Sequence, residues 1–299
     1  MKKIHIHLIS LTLGLFSLSA QAAVLLYEPF DYTANQPIAG KGGSESGFDG
    51  SSTWSENALG TTEITSGSAN FGSLVTTGNK FHYINSFGSS NYDHLAYASR
   101  AMNVSASSGD LYLTFLLQGP SGVRLNGGVY INGSVKEFGA TRTEYFDEQR
   151  NASPDRPHVF FADQSTSAGA NPVTATTYMY VQKYTGLGTA SGGTAQLWLI
   201  DSSQYDIIAA DGIVNTADLD ANCLTSTSVL TLAGAAPTLD GSEQLRLLLH
   251  DYGGGNSDYT LDEIRIATTL HEAMDIVPEP SSAALLGLAG LALTLRRRR

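Results

Sequence analysis

Short apolar or alternating runs, each closed by Gly, Ser, Asn or Asp, recur along this 299-residue chain, and helical periodicity is nearly absent. Ten runs have this character: Val24–Tyr27, Lys80–Ile84, His94–Ser99, Leu111–Gln118, Gly128–Ile131, His158–Ala162, Thr177–Tyr184, Ala195–Ile200, Leu245–His250 and Thr260–Ala267. They are rich in Tyr, Phe, Val, Leu and Thr, the residues that fit a pleated, half-buried surface. Only Ala217–Leu224 reads as a short helix, and 31 glycines supply the turns. Strands joined by polar turns, without helical crossovers, predict an all-β chain folded as an antiparallel β-sandwich of jelly-roll kind. No internal repeat of fixed period is present.

The two ends depart from this pattern. Lys2 and Lys3 precede a mostly apolar stretch, Ile4 to Leu18, and Ala20-Gln21-Ala22 fits the small-x-small rule of signal peptidase. This predicts a secretory signal over residues 1–22, cleaved after Ala22; the alternative is an uncleaved N-terminal anchor. At the other end Val277-Pro278-Glu279-Pro280 leads into an apolar run, Ala283 to Leu295, and then Arg296, Arg297, Arg298 and Arg299. Four fixed positive charges resist crossing a bilayer and stay on the cytoplasmic side. Ser281 to Leu295 makes about 22 Å of helix against a hydrocarbon core of about 30 Å. Its Ala, Gly and Ser residues make insertion weak and let another helix approach closely. Such a helix suits temporary retention, with the body outside and the arginines inside.

Val-Pro-Glu-Pro, a short apolar helix and a terminal arginine cluster, in that order, resemble the PEP-CTERM sorting signal of exported bacterial proteins. The resemblance covers Val277 to Arg299. It implies that an integral-membrane, transpeptidase-like enzyme, exosortase, recognises the tripeptide and removes the tail. The protein is then released or passed to the cell surface or its exopolysaccharide matrix. The resemblance carries no chemistry for the body, residues 23–276.

Six of the 17 basic residues lie in the end segments, which leaves 11 to set against the 28 acidic residues of the chain, a balance of about −17. A surface this acidic disfavours nucleic acid and anionic lipid. It suits solubility outside the cell, or cations. The single cysteine, Cys223, forms no internal disulfide. With no base near it in sequence, it reads as a small buried apolar side chain.

Two segments resemble the concanavalin A-like (laminin-G-like) jelly rolls found in PEP-CTERM proteins. The opening one runs Leu25-Leu26-Tyr27-Glu28-Pro29-Phe30-Asp31-Tyr32, then Gly40-Lys41-Gly42-Gly43, Gly47-Phe48 and Trp54; the closing one is Leu261-Asp262-Glu263-Ile264-Arg265-Ile266-Ala267-Thr268-Thr269. The resemblance implies that first and last strands are neighbours, which makes the body one domain, and that carbohydrate is a conceivable ligand. In the residues themselves, Phe30 and Tyr32 share a face with Asp31 turned away. Gly40, Gly42, Gly43 and Gly47 permit positive φ in a long loop. Strict alternation in the closing strand places Leu261, Glu263, Arg265 and Ala267 on one face and Asp262, Ile264, Ile266 and Thr268 on the other, with Arg265 paired to Glu263 or to a neighbouring strand.

A glycosidase on this fold needs two carboxylates on one face, about 5–5.5 Å apart in a retaining enzyme. The nearest approach, Glu144-Tyr145-Phe146-Asp147-Glu148, puts Glu144 and Asp147 on opposite faces of a strand. The histidines of the body, His82, His94, His158, His250 and His271, have no ligand spacing. Calcium has two candidate loops. Asp211-Gly212 to Asn215 and Asp218 resembles the second half of an EF-hand loop, but Ile207 and Ala209 stand where early ligands belong. A turn into a capped helix is the competing reading. Asp251, Asn256 and Asp258 form the other candidate, cradling a cation between the last two strands, where a glycine-rich hairpin explains the residues equally. Trp198, in Leu197-Trp198-Leu199, reads as part of a buried strand or as a sugar platform, and Tyr252 is a second aromatic for the latter role. Asn103, Asn132 and Asn151 head glycosylation sequons that carry little weight in a bacterial protein. Arg142, Arg150 and Arg156 among Glu144, Asp147, Glu148 and Asp155 read as a solvated loop.

The expectation is an exported, surface- or matrix-sorted, non-catalytic protein without a required cofactor. It is structural or adhesive, with extracellular polysaccharide as a candidate ligand and signal peptidase and exosortase as processing partners. The alternative is a polysaccharide-active hydrolase or lyase whose carboxylates come from distant strands.

Overall fold

A computed structural model describes residues 24–276 apart from 44, 58–59, 86–96, 120–125, 133–135, 142–156, 163, 170–175, 211, 213 and 251–256. The strands of the first half are β1 (Val24–Glu28), β2 (Ser55–Asn57), β3 (Thr61–Thr65), β4 (Lys80–Asn85), β5 (Tyr97–Ala101), β6 (Ser105–Ala106), β7 (Leu111–Gln118), β8 (Asn126–Asn132) and β9 (Lys136–Thr141). Then come β10 (His158–Phe161), β11 (Gln164–Ser167), β12 (Thr177–Thr185), β13 (Thr194–Ile200), α1 (Ser202–Ala209) and α2 (Thr216–Asn222). The chain closes with β14 (Thr225–Ser226), β15 (Leu230–Thr231), β16 (Leu239–Asp240), β17 (Gln244–His250), β18 (Ser257–Ala267) and α3 (Leu270–Ala273).

Two antiparallel sheets face each other. One runs β14-β13-β12-β7-β18-β4-β3, with β1 beside β18 and β15 beside β13; the other runs β11-β10-β9-β8-β17-β5-β2. The main core fills the space between them. Leu113, Phe115 and Leu117 of β7 and Tyr180 of β12 meet Val129, Ile131, Leu245 and Leu247 of β8 and β17. Phe115 and Tyr180 stack with ring centroids 4.9 Å apart. This antiparallel sandwich is the architecture expected from alternation and polar turns.

The first sheet is buried on both faces. Tyr112 and Leu116 of β7, Met179 and Val181 of β12, and Trp198 and Ile200 of β13 form a second core with Tyr205 and Ile208 of α1, Leu219 of α2 and the segment Leu270–Ile276. Burial on both faces explains why Leu111–Gln118 reads as an almost unbroken apolar run. Helices α1 and α3 were absent from the sequence expectation. Asp201 and Gln204 make a reciprocal capping box that starts α1, and Thr269 caps α3. Both starts carry the small polar residue followed three positions later by Gln or Glu that marks a helix N-terminus. The expected helix near Ala217 is α2, capped by Asn215 and Asp218. Among the described residues no helix is long and apolar enough to cross a membrane. The signal segment and the apolar tail lie outside the described residues.

First and last strands are neighbours, as the closing motif implied: Val24 pairs with Ala267 and Glu28 with Ile264. The strict alternation predicted for β18 is corrected. Its register against β7 shifts between Asp262 and Arg265, and Glu263 takes φ 52°. This bulge inserts one residue into the alternation. Leu261, Ile264 and Ile266 therefore face the main core together.

Candidate functional site

The opening motif folds around a buried ion pair. Glu28 and Arg100 are both fully buried, and Arg100 Nη1 stands 3.4 Å from Glu28 Oε2. The same carboxylate oxygen accepts from the Tyr32 hydroxyl at 2.7 Å and from Trp54 Nε1 at 3.1 Å, and Glu28 Oε1 accepts from Phe30 N–H at 2.8 Å. Arg100 Nη2 donates to the Gly43 carbonyl at 2.9 Å and to Glu45 at 2.7 Å, and its guanidinium lies 4.0 Å from the centre of the Phe48 ring. Burial pushes the Glu28 carboxyl up to about 7, against the opposing pull of Tyr32, the Phe30 N–H and Arg100. Phe30 and Tyr32 are buried and Asp31 exposed, as read from the sequence. Gly40, Gly42 and Gly47 have positive φ, whereas Gly43 does not. At Gly47 a Cβ would lie 2.2 Å from the Leu25 carbonyl oxygen, so the loop packs directly onto β1.

The closing motif builds a second knot on the other face of β18. Asp262 accepts from the Ser68 hydroxyl and Ala69 N–H at 2.6 and 2.7 Å, and burial pushes its carboxyl up to about 7. Glu263 accepts from Thr77 N–H at 2.8 Å, the Tyr27 hydroxyl at 2.9 Å and Arg265 at 3.0 Å. Arg265 also pairs with Asp275 at 2.9 Å and lies over the Tyr27 ring at 4.3 Å. Glu28, Asp262 and Glu263 are thus each occupied in holding the loops and strands of the two motifs together.

Two further constellations are open to solvent on at least one side. Both ring nitrogens of His82 meet carboxylates, Nδ1 at 3.1 Å from Glu63 and Nε2 at 2.7 Å from Asp258, which clasps β3, β4 and β18. On the outward face of the second sheet the Arg246 guanidinium stands 4.6 Å from the Tyr97 ring centre, and Nη2 donates to Gln244 at 3.1 Å. Arg246 lies directly opposite Ser99 on one side and Tyr130 on the other. Burial raises the Tyr130 hydroxyl, with Arg246 pulling the other way. Arg246 Nε is buried without a hydrogen-bond partner. The three helices pack on the opposite sheet.

The structure separates the residues predicted to act. Trp198 is 1% exposed, packs in the second core and donates Nε1 to Asp220 at 2.7 Å, so the sugar-platform role is corrected to a buried strand position. Asn215 Oδ1 accepts from Ala217 and Asp218 N–H, and Asp218 accepts from Asn215 N–H, which spends two of that loop's candidate calcium ligands on the α2 cap; the third, Asp211, lies outside the described residues. Asp258 is exposed and engaged by His82; Asp251, Tyr252 and Asn256 lie outside the described residues, as does Glu144–Glu148. Ala20, Ala22, Val277, Pro278, Glu279, Pro280 and Arg296 to Arg299 lie there too. Among the described residues no three His, Cys, Asp or Glu side chains gather as metal ligands. Cys223 is half-buried against the second core rather than fully buried, and burial raises its thiol. Sequence reasoning missed Arg100 and Arg246. Each is an isolated cation inside an apolar strand, which is the available signal for a paired or stacked arginine.

Among known proteins, the profile of the PEP-CTERM protein-sorting motif matches residues 277–299. No curated protein sequence matches the chain. Solved structures give weak similarities. A peanut lectin with a 9mer peptide has TM-score 0.44 at 8% identity, covering 82% of this chain and 97% of the lectin. A carbohydrate esterase from a Shiga toxin-encoding bacteriophage has TM-score 0.42 at 9% identity, covering 82% and 98%. A GH131 beta-glucanase catalytic domain from Podospora anserina has TM-score 0.41 at 10% identity, covering 81% and 84%. The sandwich described above rests on the strand pairing itself.

Proposed function

We propose that this chain, which carries the PEP-CTERM sorting motif at residues 277–299, is a non-catalytic surface or matrix protein that binds extracellular polysaccharide. In this reading signal peptidase cuts after Ala22, an exosortase-type membrane enzyme processes the tail, and residues 23–276 fold as one domain. The β1–β18 pairing, which joins the two ends of that segment, supports the last point.

The binding reading is carried by one observation. The outward face of the second sheet presents a half-buried arginine stacked on Tyr97 and flanked by Gln244. A stacked guanidinium beside an amide offers planar donors to sugar hydroxyls or carboxylates, and an aromatic ring offers a face to a pyranose. The buried carboxylates of the two motifs, Glu28, Asp262 and Glu263, support a non-catalytic body, because each already accepts several hydrogen bonds. The test is binding of the producing cell's exopolysaccharide by purified exported protein. Tyr97→Ala and Arg246→Ala should each weaken it about tenfold, a loss of about 1.4 kcal/mol. Binding that is absent, or that neither substitution weakens, would sink the reading.

A hydrolase reading draws on Glu63 and Asp258, two partly exposed carboxylates held by one histidine. It requires that purified protein release new reducing ends and that Glu63→Gln abolish the release.

A further inference from the structure

The described residues end at Ile276, one position before the sorting motif begins. Ile276 is 5% exposed and its N–H donates to the His271 carbonyl at 2.9 Å. The seven residues before the motif are held from several directions. Leu270, Ala273 and Met274 are buried in the second core. The Thr114 hydroxyl donates to the Ala273 carbonyl at 2.5 Å, the Tyr205 hydroxyl donates to the Met274 carbonyl at 2.9 Å, and Arg265 grips Asp275. His271 Nε2 lies 3.2 Å from Val214 N and 3.1 Å from the Gly212 carbonyl oxygen. This is a fastened strap and leaves no spacer before Val277, where the motif match starts.

Chain length then bounds the distance to any partner. Pro280 lies four residues beyond Ile276, which extends no further than about 14 Å. A protein that grips Pro278-Glu279-Pro280 must therefore come within that distance of the surface around Ile276. The other end of the described chain leaves from the same place. Val24 pairs with Ala267, three residues before α3. The surface there is polar. Thr77 and Thr268 are exposed, the Asp275 side chain is 35% exposed, and Tyr27 is partly exposed beside them.

We infer that this exit surface, made by the strap Thr268–Ile276, the end of β18 and Thr77, is a docking face for the extramembrane, polar part of the integral-membrane enzyme that processes the tail. The inference rests on the sorting reading and goes beyond it. The body is part of what the enzyme recognises, rather than cargo hung from the motif. The short connection holds the two contacts together at high effective concentration, which falls roughly as the −3/2 power of linker length.

The experiment is a pulse-chase of tail removal in the producing cell. One variant carries about twelve Gly/Ser residues inserted between Ile276 and Val277, which leaves the strap untouched. Lengthening the connection from about four to about sixteen residues should slow removal about eightfold. Removal at the original rate or faster overturns the inference. A second variant, Thr268→Arg, changes only an exposed position of the face; slowed removal with unaltered melting temperature is expected, and an unaltered rate counts against the proposal. A Pro278, Glu279 and Pro280 triple alanine variant separates the two readings. If that variant is still processed, the sorting reading fails. If it is not, while the spacer variant is processed normally, only the docking face fails.

Discussion

Arg100 is buried within the opening motif and holds several of its groups at once. Replacing it with alanine strands the fully buried Glu28 carboxylate and frees the Gly43 carbonyl and Glu45. Removing one partner of a buried pair costs about 3–5 kcal/mol, a large part of the stability of an ordinary domain. Denaturant unfolding of Arg100→Ala checks this, and a loss below about 1 kcal/mol would contradict it. A pH prediction follows from Glu28 and Asp262. Burial lifts both carboxyls from 4.5 and 3.8 to about 7 in the folded protein. Between those values the folded state holds protons that the unfolded state has released. Stability therefore falls as pH rises from about 4 to about 7, by on the order of 3 kcal/mol for each group, and levels off above. The melting temperature should drop by roughly 10–20 °C between about pH 5 and about pH 8. A melting temperature that climbs over this interval would contradict the assignment. None of this is visible along the sequence. Glu28 and Arg100 lie 72 positions apart, and only the folded sheets bring them together.

At the scale of elements, most of the sheet framework was legible. The run Leu111–Gln118 coincides with β7, and Lys80–Ile84, Thr177–Tyr184 and Ala195–Ile200 each fall within one residue of an observed strand at either end. Their apolar content is set by burial, and burial leaves its mark in residue type. The edge strands β2, β3 and β11 went unread because their residues, such as Ser55-Glu56-Asn57 and Gln164-Ser165-Thr166-Ser167, are polar; they are strands only because a neighbour pairs with them. The bulge in β18 defeated face assignment for a different reason. One residue in the left-handed region reverses the parity of all that follows, and Glu263 is not a residue whose type announces that conformation. The strap gives this scale its prediction. A chain that stops at Ile276 should unfold at the same denaturant concentration as the untruncated protein. A chain that stops at Thr269 removes Leu270, Met274 and Ile276 from the second core. At about 2 kcal/mol for each large side chain, it should lose on the order of 6 kcal/mol. Equal midpoints for the two truncations would show the strap to be an ornament of the fold.

For the whole molecule, sequence and structure inform different parts. The ends state a destination in residues that need no fold to be read: a small-x-small site at Ala20–Ala22, Pro278-Glu279-Pro280 and four arginines. The body states an architecture, and its candidate binding face became visible only when register set Tyr97, Arg246 and Tyr130 on one side of the second sheet. Trp198 illustrates the limit. An aromatic in an alternating run is the same symbol whether it faces solvent or a second core, and the helices that cover it decide the matter. The central claim is that this chain is exported and its sorting tail processed. Intact mass of the protein from fractionated cells, produced with and without residues 277–299, tests it most directly. The account predicts that the full-length gene yields an extracytoplasmic product shortened at both ends, with the C-terminal boundary at or beyond Ile276, and that the tailless chain is misdirected. A cytosolic product carrying both Met1 and Arg299 would contradict it.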